Sequence, residues 1–212
     1  MVYKGCVFLV PDYWSIRLFD LSDEAFVWRY MNVHEGTFID VGAHVGKYAV
    51  TMARKLKGAG MVLAFEPHLV NFKYLLVNLR LNGLSNVLPF NMACYSSNGC
   101  LDLYVAQESS LHSLILPMSE GKIKVKACTI DFMVGKLRLK DIRLIKIDVE
   151  GAEVEVIKGV LQTMNSFSPT LIVEVRFSNI AEFSRLMSQL DYEVEVSSVG
   201  PDLIYVASSP RR

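Results

Sequence analysis

A chain of 212 residues with 51% apolar and 21% charged side chains has the composition of a globular domain, which excludes a disordered or fibrous protein. Lys plus Arg and Asp plus Glu each number 22, so the net charge is zero and the whole-domain positive field of a general nucleic-acid binder is absent. The longest uncharged stretch, residues 81–101, carries asparagines, a proline and glycines, so no membrane span is expected.

In chain order, residues 1–36 hold apolar runs at 7–10 and 14–19. A helix then runs from Ser22, an N-cap with Asp23 and Glu24 in the first turn, to about Asn32. From Thr37 short apolar runs alternate with helical patterns. Strands are predicted at 37–41, 61–65, 87–91, 144–147 and 171–175. Helices follow the first two, on Tyr48, Met52, Ala53 and Leu56 and on Phe72, Leu75, Leu76 and Leu79. Others follow the last two, on Val156, Ile157, Val160, Leu161 and Met164 and on Phe183, Leu186, Met187 and Leu190. Strands that are apolar on both faces and alternate with helices predict a parallel sheet covered on both sides. Pro89 places the third strand at an edge. Residues 192–196 and 203–207 are too close in sequence for a crossover helix and should pair antiparallel. Two further strands, 101–105 and 123–127, flank a loop from Ala106 to Gly121.

Chemistry concentrates at the strand ends. Asp40-Val41-Gly42-Ala43-His44-Val45-Gly46 joins the first strand to the first helix, where glycine lets a ligand approach backbone N–H groups. A dinucleotide fingerprint needs glycine where His44 and Lys47 stand, so a nicotinamide-dependent oxidoreductase fits poorly, and no Walker A loop is present. The D-x-G-x-x-x-G spacing is similar to the first motif of S-adenosylmethionine-dependent methyltransferases. Glu66, just after the second strand, is an acid placed to accept hydrogen bonds from ribose hydroxyls. Neither the four cysteines (Cys6, Cys94, Cys100, Cys128) nor the four histidines have zinc-site spacing. Reduced cysteines, together with an N-terminus that lacks the pattern of a signal peptide, lead to the expectation of a cytoplasmic protein.

These stretches together resemble the FkbM family of S-adenosylmethionine-dependent methyltransferases. The resemblance rests on F-I-D-V-G-A-H-V-G-K-Y at 38–48, F-E-P at 65–67, K-I-D-V-E-G-A-E at 146–153 and I-V-E at 172–174. Weaker landmarks are Asn91-Met92-Ala93, Ser109-Ser110-Leu111 and Thr129-Ile130-Asp131. The resemblance implies an α/β class I methyltransferase fold, a Rossmann-like three-layer sandwich. Its seven-stranded, mostly parallel sheet has the order 3-2-1-4-5-7-6 with the last strand antiparallel. Residues 37–212 would form that domain, and residues 1–36 an N-terminal extension serving as the substrate lid. It implies S-adenosyl-L-methionine as cofactor and a hydroxyl of a small metabolite or sugar as acceptor. His44 replaces the asparagine common at its position.

The ligand should sit where the strand order reverses, between strands one and four. There Gly42, Ala43, His44 and Gly46 would line the methionine part, with Asp40 orienting the loop. Glu66 would hold the ribose, Asn91, Met92 and Ala93 would lie near the adenine, and Tyr48, Pro67 and Asp148 complete the cofactor set. Asp148, Glu150 and Glu174 are the catalytic candidates, since an alcohol acceptor must lose a proton. Glu150, like Glu153, also fits as an acid stabilised at a helix N-terminus. His112 reads as a solvated loop histidine more readily than as a base. Asp148 and Glu174 on neighbouring strands can share a hard cation such as magnesium, yet two carboxylates make a thin site, and the metal-free reading is preferred. A non-catalytic cofactor-binding module is the remaining alternative; the row of cleft carboxylates argues for chemistry.

Overall fold

The computed structural model describes residues 1–17, 19, 24–198 and 203–210. Two short strands, β1 (Val2–Tyr3) and β2 (Cys6–Val7), pair antiparallel at the start of the chain. Helix α1 (Tyr13–Arg17) follows, N-capped by Asp12, whose Oδ1 accepts from the Ser15 backbone N at 2.7 Å. Helix α2 is Glu24–Tyr30, shorter than its sequence pattern suggests, and the N-cap expected at Ser22 lies outside the described residues.

The central sheet contains β3 (Gly36–Val41), β4 (Gly60–Phe65), β5 (Val87–Phe90), and also β9 (Ile142–Ile147), β10 (Thr170–Arg176), β11 (Tyr192–Ser198) and β12 (Leu203–Pro210). Between β5 and β9 lie β6 (Ala93–Cys94), β7 (Gly99–Tyr104) and β8 (Lys122–Cys128), which form a small second sheet. The central strands stand in the order β5-β4-β3-β9-β10-β12-β11. The first five are parallel, and β12 and β11 run antiparallel to their neighbours. β5 is an edge, as Pro89 requires.

Helices cover both faces: α3 (Lys47–Lys55) and α4 (Leu69–Leu81) on one, α5 (Ile130–Leu137), α6 (Glu153–Lys158), α7 (Leu161–Phe167) and α8 (Ile180–Gln189) on the other. Strand alternation sorts the residues. Ile39, Val41, Ile145, Ile147, Leu171 and Val173 are buried with α5 to α8, whereas Phe38, Leu144 and Ile172 are buried with α3 and α4. The same alternation puts Asp40, Lys146 and Glu174 together on the α3 face, with Asp40 and Lys146 direct partners in the ladder.

The pattern at 153–167 reads as one helix but folds as two. The break falls at Gly159, the C-cap of α6, where only glycine fits because a Cβ would lie 2.1 Å from the Tyr95 carbonyl oxygen. Helix α5 has no counterpart in the sequence reading; Thr129 caps it by accepting from Phe132 N at 3.0 Å.

Residues of the first 36 complete the α3 face. Cys6, Phe8, Phe19, Phe26, Val27 and Met31 are buried there beside Phe38 and Ala49. Asn78 of α4 and Asn82 at its C-cap hold the extended chain: Asn78 bonds Leu9 N and O at 2.7 and 2.9 Å, and Asn82 bonds Val7 N and O at 2.8 and 2.7 Å. Among the described residues no helix is long and apolar enough to cross a membrane.

Candidate active site

The β3–α3 turn is built by backbone contacts. Gly42 N and Ala43 N both donate to the Phe65 carbonyl, at 3.0 and 2.9 Å, and Asp148 N donates to Val41 O at 3.0 Å. Gly42 has φ 80°, and a Cβ on it would lie 1.8 Å from the Asp148 carbonyl oxygen, so the two turns touch only because residue 42 has no side chain. His44 has φ 50°, the left-handed region that histidine and asparagine enter more readily than most residues.

A cavity of about 350 Å³ opens at the carboxyl ends of β3, β4 and β9. Toward the β5 side it is lined by Phe65, Glu66, Pro67, Met92, Ala93 and Cys94, and toward the β10 side by Tyr48, Lys146, Asp148, Glu150 and Glu174. Gly42, Ala43 and His44 form the stretch between. The loop at 108–112, with Leu114, roofs it, and Phe19 closes it from the N-terminal segment.

Glu66 is almost fully buried, and its two oxygens accept from His44 N and His68 N, each at 2.8 Å. Desolvation pushes its pKa up to about 7 against these bonds. Each oxygen keeps lone-pair capacity for a hydroxyl donor.

Three of the residues expected at the cofactor do not line the cavity. Gly46 is not among the lining residues; at φ 91° a Cβ there would press on Leu75 Cδ1 at 2.5 Å, so this glycine serves packing. Asn91 also lies off the cavity, and its Nδ2 donates to Glu66 O at 2.9 Å and Pro67 O at 3.0 Å, fixing the segment that carries the acid. Asp40 is fully buried beneath the loop, pushed up to about 6 by desolvation against the pull of Lys146.

At the other end Lys146 Nζ, itself buried, lies 2.9 Å from Asp148 Oδ2 and 4.4 Å from the Tyr48 ring centroid. Arg176 reaches Glu150 Oε2 at 2.5 Å. Burial, with the Asp148 charge, raises Glu150 to about 7 despite Arg176. Oxygens of Asp148, Glu150 and Glu174 all lie within 4.8 Å of one another, so Glu150 joins the pair that the sequence singled out. Such an oxygen set suits a hard cation, but Lys146 and Arg176 already neutralise two of its members. Glu153, in the first turn of α6, instead ties the preceding turn to the segment after β10, accepting from Gly151 N at 2.7 Å and Asn179 Nδ2 at 2.6 Å.

His112 is not a solvated loop histidine. It lines the cavity, its Nδ1 accepts from Ala106 N at 3.1 Å, and its Nε2 lies 3.0 Å from His68 Nδ1. Burial and the neighbouring histidines lower it to about 4. Lys47 is a lining residue that the sequence reading used only as a departure from a nucleotide fingerprint. Its ammonium lies 5.2 to 5.4 Å from the ring centroids of Tyr3, Phe19 and Tyr48, and burial lowers its pKa to about 7. Polar lysine after a glycine turn gives no sequence signal for this, because its aromatic neighbours come from distant segments.

The matches to known proteins fit this geometry. The hexuronic acid methyltransferase AglP of Haloferax volcanii is 27% identical over 201 residues, covering 93% of this chain and 80% of AglP. Methyltransferase sdnD of Sordaria araneosa is 33% identical over 154 residues, covering 58% of this chain and 59% of sdnD. The crystal structure of the FkbM methyltransferase of Methylobacillus flagellatus KT superposes with a TM-score of 0.61 at 16% identity, over 93% of this chain and 56% of that one. Residues 40–194 match the Methyltransferase FkbM domain, and the chain belongs to that family.

Proposed function

We propose that this methyltransferase moves the methyl group of S-adenosyl-L-methionine to a hydroxyl oxygen of a sugar or similar small metabolite. The carrying observation is one cavity with a buried ribose-type acid, Glu66, on one side and a carboxylate cluster on the other. The sheet supports a class I methyltransferase arrangement, order 3-2-1-4-5-7-6, through its hydrogen-bonded neighbours.

The residues suit the cofactor. Gly42, Ala43 and His44 line the stretch where the methionine part would lie, Glu66 retains acceptor capacity for two ribose hydroxyls, and Met92 and Ala93 offer apolar surface to a base. Bound there, S-adenosylmethionine supplies an electrophilic methyl carbon on a sulfonium. The chain's task is to hold an acceptor oxygen in line with that carbon and to keep water out. Asp148, held by Lys146, is the acceptor for the hydroxyl proton, and Glu150 and Glu174 supply further acceptor oxygens. The roof at 108–112 and Phe19 exclude solvent. Phe19 is the contact through which residues 1–36 act as a lid.

The name of AglP puts hexuronic acids first among acceptors to try. Incubation with methyl-labelled S-adenosylmethionine and glucuronic acid, neutral hexoses or simple alcohols should label the sugars. Calorimetry should show S-adenosylhomocysteine binding and no NAD binding; tight NAD binding without S-adenosylhomocysteine would end the reading.

A further inference from the structure

One hydroxyl joins separate parts of the chain at the roof of the cavity. Ser109 Oγ lies 3.0 Å from His44 Nε2 and 3.0 Å from Ser15 Oγ. Its own carbonyl accepts from Asn71 Nδ2 at 2.9 Å. Ser15 Oγ in turn donates to Asp12 Oδ1 at 2.8 Å. His44 belongs to the glycine turn, Asn71 to α4, Ser109 to the 106–121 loop, and Ser15 and Asp12 to the N-terminal segment.

The direction of this chain follows from its end. Asp12 is held below the usual carboxylate range by the hydrogen bonds it accepts from Ser15 N and Oγ, against desolvation, and so only accepts. Ser15 spends its proton on Asp12 and must accept from Ser109. Ser109 then spends its proton on Ser15 and must accept from His44 Nε2–H. His44 is therefore the neutral tautomer protonated at Nε2, which agrees with burial lowering it to about 4 and with a bare, buried Nδ1. Ser15 and Ser109 are both buried, where a hydroxyl is tolerated only when its bonds are made.

We infer that Ser109 is a positioning residue for the cofactor cavity, fastening the 106–116 segment and the N-terminal segment together onto His44 so that both open and close as one unit. It acts through His44, whose backbone N–H rests on Glu66 Oε2. The inference rests on the reading of this cavity as the cofactor site, and it adds to a lid of residues 1–36 a second half and the bond between them.

The test uses Ser109→Ala, Ser15→Ala, the double variant and Ser109→Thr, which keeps the hydroxyl. Hydrogen exchange is followed in segments 8–17 and 104–116 without ligand, and the release rate of S-adenosylhomocysteine by stopped flow. Losing one buried hydrogen bond should speed exchange in both segments, and release of the ligand, about tenfold in each alanine variant. The double variant should add nothing, because both changes cut one chain, and Ser109→Thr should behave as wild type. Ser109→Ala that loosens only its own loop, additive effects in the double variant, or an unchanged release rate would overturn the proposal. General unfolding of Ser109→Ala would show as exchange throughout β3 and β9, and Ser15→Ala, which does not itself line the cavity, then decides alone. Wild-type protein that binds no S-adenosylhomocysteine would overturn the cofactor reading and the positioning role with it. Coupled exchange of the two segments is read separately from that result.

Discussion

The two ends of the cavity are built by different means. On the β4 and β5 side the shape is made by main chain. Gly42 and Ala43 hang on the Phe65 carbonyl, Glu66 is pinned by two backbone N–H groups, and Asn91 ties down the carbonyls of Glu66 and Pro67. On the β9 and β10 side it is made by side-chain charge, Lys146 against Asp148 and Arg176 against Glu150. Main-chain geometry tolerates few residue types, whereas ion pairs can be exchanged for other pairs. The first end therefore suits a ligand that never changes, and the second an acceptor that differs from one relative to the next.

The largest effect should come from Gly42→Ala. Its Cβ would lie inside the Asp148 carbonyl contact, and both turns would have to separate. Loss of S-adenosylhomocysteine binding by calorimetry is expected, with a lowered melting temperature. Gly58→Ala, also at positive φ but with nothing within 4 Å of the added carbon, should cost only about 1 kcal/mol.

On the proposed ribose role, Glu66→Ala would remove two charge-assisted bonds, and partial recovery by water would leave about 30- to 300-fold in the S-adenosylhomocysteine dissociation constant. The wild-type affinity should also weaken as pH falls below about 7, where the carboxyl takes up a proton. A pH-independent constant, or an unchanged one in Glu66→Ala, would show that the acid only caps its two backbone donors.

For the charged end, Asp148→Asn should lower turnover at least about a hundredfold with cofactor affinity intact, the scale of lost general-base help. Turnover abolished by EDTA and restored by magnesium would instead assign Asp148, Glu150 and Glu174 to a cation.

A separate effect concerns pH and stability. His44 is held to about 4 by burial, while an unfolded histidine takes up its proton near 6.5. The unfolded chain then binds the proton first, so stability is complete above about 6.5 and is lost as pH falls toward about 4. His44→Asn, which tolerates the same positive φ, should flatten that part of a denaturant-midpoint-against-pH curve; an unchanged slope would place the acid sensitivity in His112 and His68.

The main-chain end was more legible than the charged end for a physical reason. Gly42, Glu66 and Met92 each sit at a strand end marked by its own local pattern, so spacing alone locates them. Spacing does not reveal which way a turn glycine lacks its side chain, so Gly46, at the N-cap of α3, carries no mark that the space beside it is taken by Leu75. The groups that the pattern leaves out, Lys47, His112 and the Ser15–Ser109 bond, owe their surroundings to segments far apart in sequence. The hairpin of β11 and β12 was readable from its short connection, whereas α5, with a Thr cap but weak spacing, was not.

Pro89 has a consequence for how the protein behaves in crowded solution. The carbonyls of Asn86 and Phe90 accept from Val62 and Glu66, so these even-numbered residues of the edge face β4 and Pro89 turns its nitrogen outward. An incoming strand from another molecule would meet no donor in the middle of a four-residue edge. That edge is closed to sheet extension, which guards a largely apolar parallel sheet against edge-to-edge aggregation.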